Sequence, residues 1–343
     1  MRISRTRTTA VAAVAGVSLI ALSACSSDDS SDANDTAEAT DAATSDTTGT
    51  TDGEFPATVD TKFGEITVEA APERVVALGW GDSETALALG VQPVGASDWL
   101  GFGGDGVGPW ADGLYDASPE IIDANEPSYE AIAALEPDLI LDTKGSGDQE
   151  RYDRLSEIAP TIGVPEGGES WLTSSEDQVE MISEALGMED AGDQLLDDLD
   201  AKFEAAAEAH PEWDDMTMTA ATRYSEGWGA YLEGDARFDF LEELGFDQNP
   251  EVEKLGEDVD SFFVSISSEQ LDLLDAGVIV AFPIGIETTE ITEDAVWKAI
   301  PAVADGHSVV VDGDLSSAYS LGSTLSTAYA LDELVPMLED ATK

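Results

Sequence analysis

The chain has 343 residues, 42% of them hydrophobic and 7% aromatic, with 73 Asp and Glu against 14 Lys and Arg, a formal net charge of −59. So acidic a surface disfavours nucleic acid and anionic lipid headgroups as partners. The single cysteine, Cys25, excludes an intramolecular disulfide, so the folded part must be held by its core.

Arg2, Arg5 and Arg7 precede an uncharged apolar run from Ala10 to Ala24 that is too short to span a bilayer and reads as an export signal over residues 1–24. Its ending, Leu22-Ser23-Ala24-Cys25, looks like a bacterial lipobox, which implies cleavage before Cys25 and lipid attached there. The mature chain then carries 73 acids and 11 bases, a net charge of −62. Residues 25–54 are Ser, Thr, Asp, Ala and Gly with almost no bulky apolar side chain and are expected to be a disordered tether. The remainder is too long for one ordinary core, which predicts two lobes.

Phe55 to Ala70 reads as a leading hairpin around Gly64. Arg74 to Leu78 is an apolar strand, followed by a Gly-bounded loop with Trp80, a helix over Glu84–Leu89 capped by Ser83 and stopped at Gly90, and a second strand from Val91. Ser97 to Trp110 holds five glycines among Trp99, Phe102 and Trp110, a loop whose aromatics either pack back on the lobe or line a cleft. Later come Asp142–Lys144 at a strand exit and a helix from Tyr152 stopped by Pro160. From Ser174 to Ala209 the spacing is helical with a break at Gly187, so Glu189–Ala209 is one long helix. Met216–Thr222 alternates as a strand, and Arg223 to Tyr231, with Tyr224 and Trp228, is read as its exit loop. A helix follows from Arg237 to Leu244, and another from Leu325 to Leu338 closes the chain.

One pattern occurs twice. Ser128–Leu141 and Ser267–Val280 align Ser on Ser, Glu130 on Glu269 and aliphatic on aliphatic, each a short helix feeding a buried parallel strand. With Ser128 and Ser267 as N-caps, each Glu falls in a first helical turn, where it suits the helix dipole. The unit also resembles the helix–strand motif of the ferric-siderophore and cobalamin class of ABC-transporter substrate-binding proteins. The Arg74-Val-Val opening, the Tyr152-to-Ile162 segment and the Trp297-to-Val311 ending are similar to the same class, over roughly residues 72 to 340. The resemblance implies a class III periplasmic-binding-protein-like α/β fold, with mostly parallel sheets in an N-terminal lobe (55–187) and a C-terminal lobe (211–343), joined by a linking helix (188–210). It implies further that Glu130 and Glu269 dock to arginines of a membrane permease.

The function expected is therefore an extracytoplasmic, lipid-anchored, monomeric protein that captures a ferric siderophore and passes it to an ABC permease, with no cofactor of its own. Haem or cobalamin is the alternative within the class; a secreted enzyme or a structural envelope protein is the alternative outside it. No Gly-x-Ser-x-Gly turn occurs, and His210 and His307 are the only histidines, which speaks against a hydrolase and against a His-rich metal site. Candidate ligand walls are Trp80, Trp99, Trp110, Trp228, Tyr224, Tyr231 and Tyr319, and candidate donors are Lys144 and Arg223. The acidic field favours neutral or cationic ferric hydroxamates over anionic tris-catecholates.

Overall fold

The computed structural model describes residues 53–343 apart from 169, 215, 258 and 260. The export signal, Cys25 and all but the last two residues of the tether lie outside the described residues. Among these, no helix is long and apolar enough to cross a membrane.

Strands β1 (Ala57–Thr61) and β2 (Gly64–Val68) pair as an antiparallel hairpin, with Gly64 at φ 106° in the turn. The first large sheet uses β3 (Val75–Ala77), β4 (Gly95–Ser97), β5 (Glu120–Ile122), β6 (Leu139–Leu141) and β7 (Thr161–Ile162) in the order β5-β4-β3-β6-β7, with every pair parallel. Its helices are α1 (Asp82–Ala88), α2 (Tyr129–Ala134), α3 (Gln149–Ser156) and α4 (Ser175–Ala185). β3 and β6 are buried throughout, as their unbroken aliphatic runs require of strands covered on both faces. The helix expected over Glu84–Leu89 begins earlier, because Gly81 at φ 83° lets the chain turn directly into it and leaves Asp82 and Glu84 buried.

Helix α5 spans Glu189–Ala209, as its periodicity predicts, and is about 31 Å long. Met188, Ala191 and Leu195 pack on the N-terminal cluster around Val59, Ile182 and Leu186. One turn further on, Leu199 and Phe203 are buried in the C-terminal cluster with Trp213, Phe240 and Leu331. The same apolar stripe therefore roots the helix in both cores, each buried side chain contributing about 1.5–3 kcal/mol.

The second sheet is mixed. β8 (Thr217–Tyr224) pairs antiparallel with β9 (Gly227–Tyr231), and after α6 (Ala236–Glu243) the short β10 (Asp247–Gln248) pairs parallel with the start of β8. Beyond α7 (Pro250–Gly256), β11 (Phe263–Ile266) adds antiparallel to β9, while β12 (Val278–Ile284) pairs parallel with β8. Helices α8 (Thr289–Thr292) and α9 (Pro301–Asp305) lead to β13 (Ser308–Val310), parallel to β12, and α10 (Gly313–Leu321) and α11 (Thr324–Ala341) complete the chain.

Two readings are corrected here. Residues 227–231 are a strand and not an exit loop, since Gly229 removes the side chain that would meet the Phe263 ring at 1.9 Å and so permits close pairing with β11. The second copy of the repeat also differs from the first. Ser128 caps α2 by accepting from the Ala131 N–H at 3.3 Å, whereas Ser267 makes no such bond and Ser268–Leu274 is a kinked 3-10 segment. Its Ser267 hydroxyl engages Gln270 Oε1 instead. Glu130 and Glu269 are both exposed.

Candidate ligand-binding cleft

A cavity of about 580 Å³ opens at the carboxyl ends of the parallel strands, where open α/β sheets place ligands. The loop after β3 brings Trp80, the loop after β4 brings Trp99 and the loop after β6 brings Lys144. From the other side come the start of α6 with Asp235 and Arg237, and the end of α10 with Tyr319. Helix α5 supplies the wall between them through Leu199, Asp200, Phe203 and Glu204.

Asp82 is the anchor of the N-terminal half. Its buried carboxylate accepts from Gly79 N–H at 3.0 Å, Thr143 N–H at 3.0 Å, Thr143 Oγ1 at 2.5 Å and Gln178 Nε2 at 2.6 Å. Burial raises its pKa, against the opposing pull of those donors. The Trp80 N–H donates to the Lys144 carbonyl at 3.0 Å, which stitches the two strand-exit loops together. Gly79 is needed for that approach: a Cβ there would lie 2.3 Å from Asp82 Oδ2 and 2.7 Å from the Lys144 N.

Held this way, the indoles form a three-deep stack. Trp80 lies 3.9 Å from Trp99 at 5° and 4.5 Å from Trp171 at 22°. Trp171 adopts φ 65°, an uncommon conformation for a bulky residue, and its N–H donates to the Gly145 carbonyl at 2.9 Å. The Nε1 atoms of Trp80 and Trp99 are buried and, among the described residues, have no hydrogen-bond partner.

The opposite half is built on a charged pair. Arg237 Nε and Nη2 donate to the two oxygens of buried Asp235 at 2.7 and 2.5 Å, and its guanidinium lies 3.9 Å from the Tyr231 ring centre. Tyr319 Oη donates to the Arg237 carbonyl at 2.5 Å. Bidentate pairing and stacking fix the guanidinium in one orientation while part of it still faces the cavity. Lys144 is different. It is 7% exposed and, among the described residues, its ammonium has no hydrogen-bond or ion-pair partner. Burial pushes its pKa down, and attraction to nearby Asp235 offsets this only in part.

Of the sequence candidates, the cavity collects Trp80, Trp99, Lys144 and Tyr319. Tyr231 sits beneath Arg237 and does not line the cavity. Trp110 turns its indole N–H onto Glu84 Oε2 at 2.8 Å and packs against Phe102 and Tyr329. Trp228 is a core residue, fully buried and stacked 5.1 Å from Trp297, because strand β9 turns it inward. Arg223 is used by its own hairpin, with Nη1 donating to the carbonyls of Gly227 (2.9 Å) and Tyr224. Tyr224 lies beside it, its hydroxyl 3.4 Å from Ser265 Oγ. Sequence reasoning missed Trp171, Asp235 and Arg237. Only 11 Lys and Arg follow the export signal, so Arg237, one residue past an Asp-Ala step at a helix start, was detectable by scarcity alone.

A family model described as periplasmic binding protein matches residues 75–315. The chain belongs to the periplasmic binding protein family. Within it, the chain is 28% identical over 282 residues to a probable siderophore-binding lipoprotein of Bacillus subtilis, an alignment covering 78% of this chain and 82% of that one. Its fold is similar to that of PiaA, an iron-uptake ABC transporter substrate-binding protein of Streptococcus pneumoniae. Against PiaA solved with ferrichrome the TM-score is 0.71 at 27% identity, covering 83% of this chain and 98% of that one. A periplasmic solute-binding protein from Mycobacterium smegmatis is similar at a TM-score of 0.73 and 27% identity, covering 84% and 99%. Members of the periplasmic binding protein family bind substrates and do not turn them over, and the cleft fits that role, with a stacked indole wall facing a held Arg237–Asp235 pair.

Proposed function

We propose that this chain is an extracytoplasmic lipoprotein that captures a ferric siderophore in the cleft and delivers it to an ABC permease for iron uptake. The observation that carries this reading is the pairing of a stacked indole wall with Lys144, a buried cation that has no acceptor among the described residues. A chelated ferric ion offers what such a site lacks: iron-bound oxygens with residual negative charge and flat chelate faces. Lys144 and the cavity edge of Arg237 would donate to the oxygens, and Trp80, Trp99, Trp171 and Tyr319 would pack on the ligand frame. The similarity to the probable siderophore-binding lipoprotein of Bacillus subtilis and to PiaA solved with ferrichrome supports the class of ligand. The mature charge of −62 supports hydroxamates within it, because a negative field slows approach of the anionic tris-catecholates.

Cys25 would carry the anchor, and the exposed Glu130 and Glu269, one in each copy of the repeated unit, would meet the permease. Native mass spectrometry of the mature protein with ferric hydroxamates, a ferric tris-catecholate, haem and cobalamin tests the reading. A one-to-one complex with a ferric hydroxamate is expected. Retention of haem or cobalamin alone would overturn it.

A further inference from the structure

Glu84 is a buried titratable group to which ligand capture assigns no task. It is 1% exposed, yet its carboxylate collects donors from distant parts of the chain. Oε1 accepts from the Gly108 N–H at 3.2 Å and Oε2 from Trp110 Nε1 at 2.8 Å, and Oε2 also accepts from the hydroxyl of Ser323, the N-cap of α11. One residue earlier, the Gly322 carbonyl accepts from Ser175 Oγ at the start of α4. Adjoining residues of the α10–α11 corner are thus bonded to α1 and to α4 of the N-terminal half.

Helix α11 belongs to both halves. Its first turn packs Leu325 against Leu87, Val107 and Ala111, while its later turns bury Leu331, Leu334 and Leu338 in the C-terminal cluster with Phe240 and Tyr319. The corner also borders the cavity. At Gly322, with φ 72°, a Cβ would lie 3.0 Å from Ala236 Cβ, 3.6 Å from Lys144 Nζ and 3.7 Å from Ser175 Oγ. Closing this seam has costs as well as gains. Burial pushes the Glu84 pKa up, with the Ser323 hydroxyl first among the donors that oppose it. Gln178 Oε1 and Thr324 Oγ1 are buried beside it with no partner among the described residues. Parting the seam would return all three groups to water, so the bonds and apolar contacts that close it are partly offset.

We infer that Glu84 is a positioning residue for the cleft: through Ser323 it latches the α10–α11 corner to the N-terminal half, a second, non-covalent crossing beside α5 that holds Tyr319 and Arg237 at a set distance from Trp80 and Lys144. Helix α5 alone fixes one line between the halves and leaves rotation about it; the corner supplies a second line and removes that freedom. The latch is a property of the empty protein, so it does not depend on which ligand the cleft takes.

Double electron–electron resonance tests this, with nitroxides on Ser156→Cys at the end of α3 and Glu253→Cys on α7, both exposed, in the mature chain carrying Cys25→Ser so that only these two sites are labelled. The ligand-free parent should give one narrow distance. Ser175→Ala/Ser323→Gly removes both bonds to the corner, and glycine is a tolerated N-cap, so α11 keeps its start. In this variant, and in Glu84→Ala, the distribution should broaden and extend by more than about 2 Å. A purely structural role would lower Tm and leave the distance as it was. Calorimetry with a ferric hydroxamate should show about three- to tenfold weaker binding to the double variant, because only the latched fraction presents both walls. A broad distribution in the ligand-free parent, or a narrow, unchanged one in the double variant, overturns the inference and leaves the siderophore reading in place. Failure of the parent to bind the hydroxamate overturns that reading, while the distances still decide the latch.

Discussion

Replacing Lys144 with Met separates a ligand contact from a structural strut, because the two roles predict opposite effects on the empty protein. A strut stabilises the fold through bonds it makes, and Lys144 Nζ makes none among the described residues. Desolvating an ammonium costs several kcal/mol, which the nearby carboxylates of Asp235 and Asp239 return only in part. Met fills similar volume without the charge, so ligand-free Lys144→Met should be more stable by about 1–3 kcal/mol. At about 2 °C per kcal/mol for a chain of this size, Tm rises by about 2–6 °C. Affinity should move the other way: losing a charge-assisted hydrogen bond costs about 1.5–3 kcal/mol, or about 10- to 150-fold in Kd for a ferric hydroxamate.

The pH dependence supplies a third signature. Because the folded-state pKa lies below the ordinary 10.5, the unfolded chain binds more protons between those two values, and wild-type stability gains a component that grows as pH rises toward 10.5. That component should be absent from Lys144→Met. Differential scanning calorimetry between neutral and alkaline pH, with isothermal titration of the ligand, measures all three. A lowered Tm together with unchanged affinity would refute the reasoning and make Lys144 a strut.

Arg223→Ala should change ligand affinity by less than about 0.5 kcal/mol, since the guanidinium is tied to the β8–β9 turn and lies outside the cavity lining; titration checks this, and a loss of tenfold or more would place it in the site. Glu130→Ala/Glu269→Ala should abolish iron uptake by cells while calorimetry of the purified protein shows unaltered ligand binding, because both carboxylates are exposed outside the cavity. Cys25→Ser should leave the protein unprocessed or release it from the membrane fraction, as fractionation and intact mass would show.

How far the sequence could be read depended on where periodicity survives. Helix α5 was legible to the residue because Leu195, Leu199 and Phe203 keep helical spacing between Gly187 and the Pro211 that ends it. The hairpin strand β9 was not, since Gly227 and Gly229 interrupt the alternation that would mark a strand, and the reason for Gly229 is a ring on β11 more than thirty positions later. That one error moved Trp228 and Tyr231 from the core into the imagined cleft. Trp80 and Lys144 were legible because each follows an apolar strand, and Trp99 because it stands in a loop of glycines and aromatics; strand exits face the cavity in a parallel sheet. Trp171 sits in a loop after Gly167 and Gly168 with no periodic neighbour, and its place is set by a bond to the Gly145 carbonyl and by stacking on Trp80. Asp235 and Arg237 read as ordinary helix-start residues; only tertiary burial shows that their pairing faces a cavity.

Intrinsic fluorescence tests the central claim most directly, because three of the seven tryptophans form the proposed ligand wall. The mature protein titrated with a ferric hydroxamate should show saturable, one-to-one quenching, and Trp80→Phe/Trp171→Phe should lose most of that signal while the fully buried Trp213, Trp228 and Trp297 continue to emit. Quenching that does not saturate, or that persists in full when both indoles are removed, would contradict capture of a ferric siderophore in this cleft.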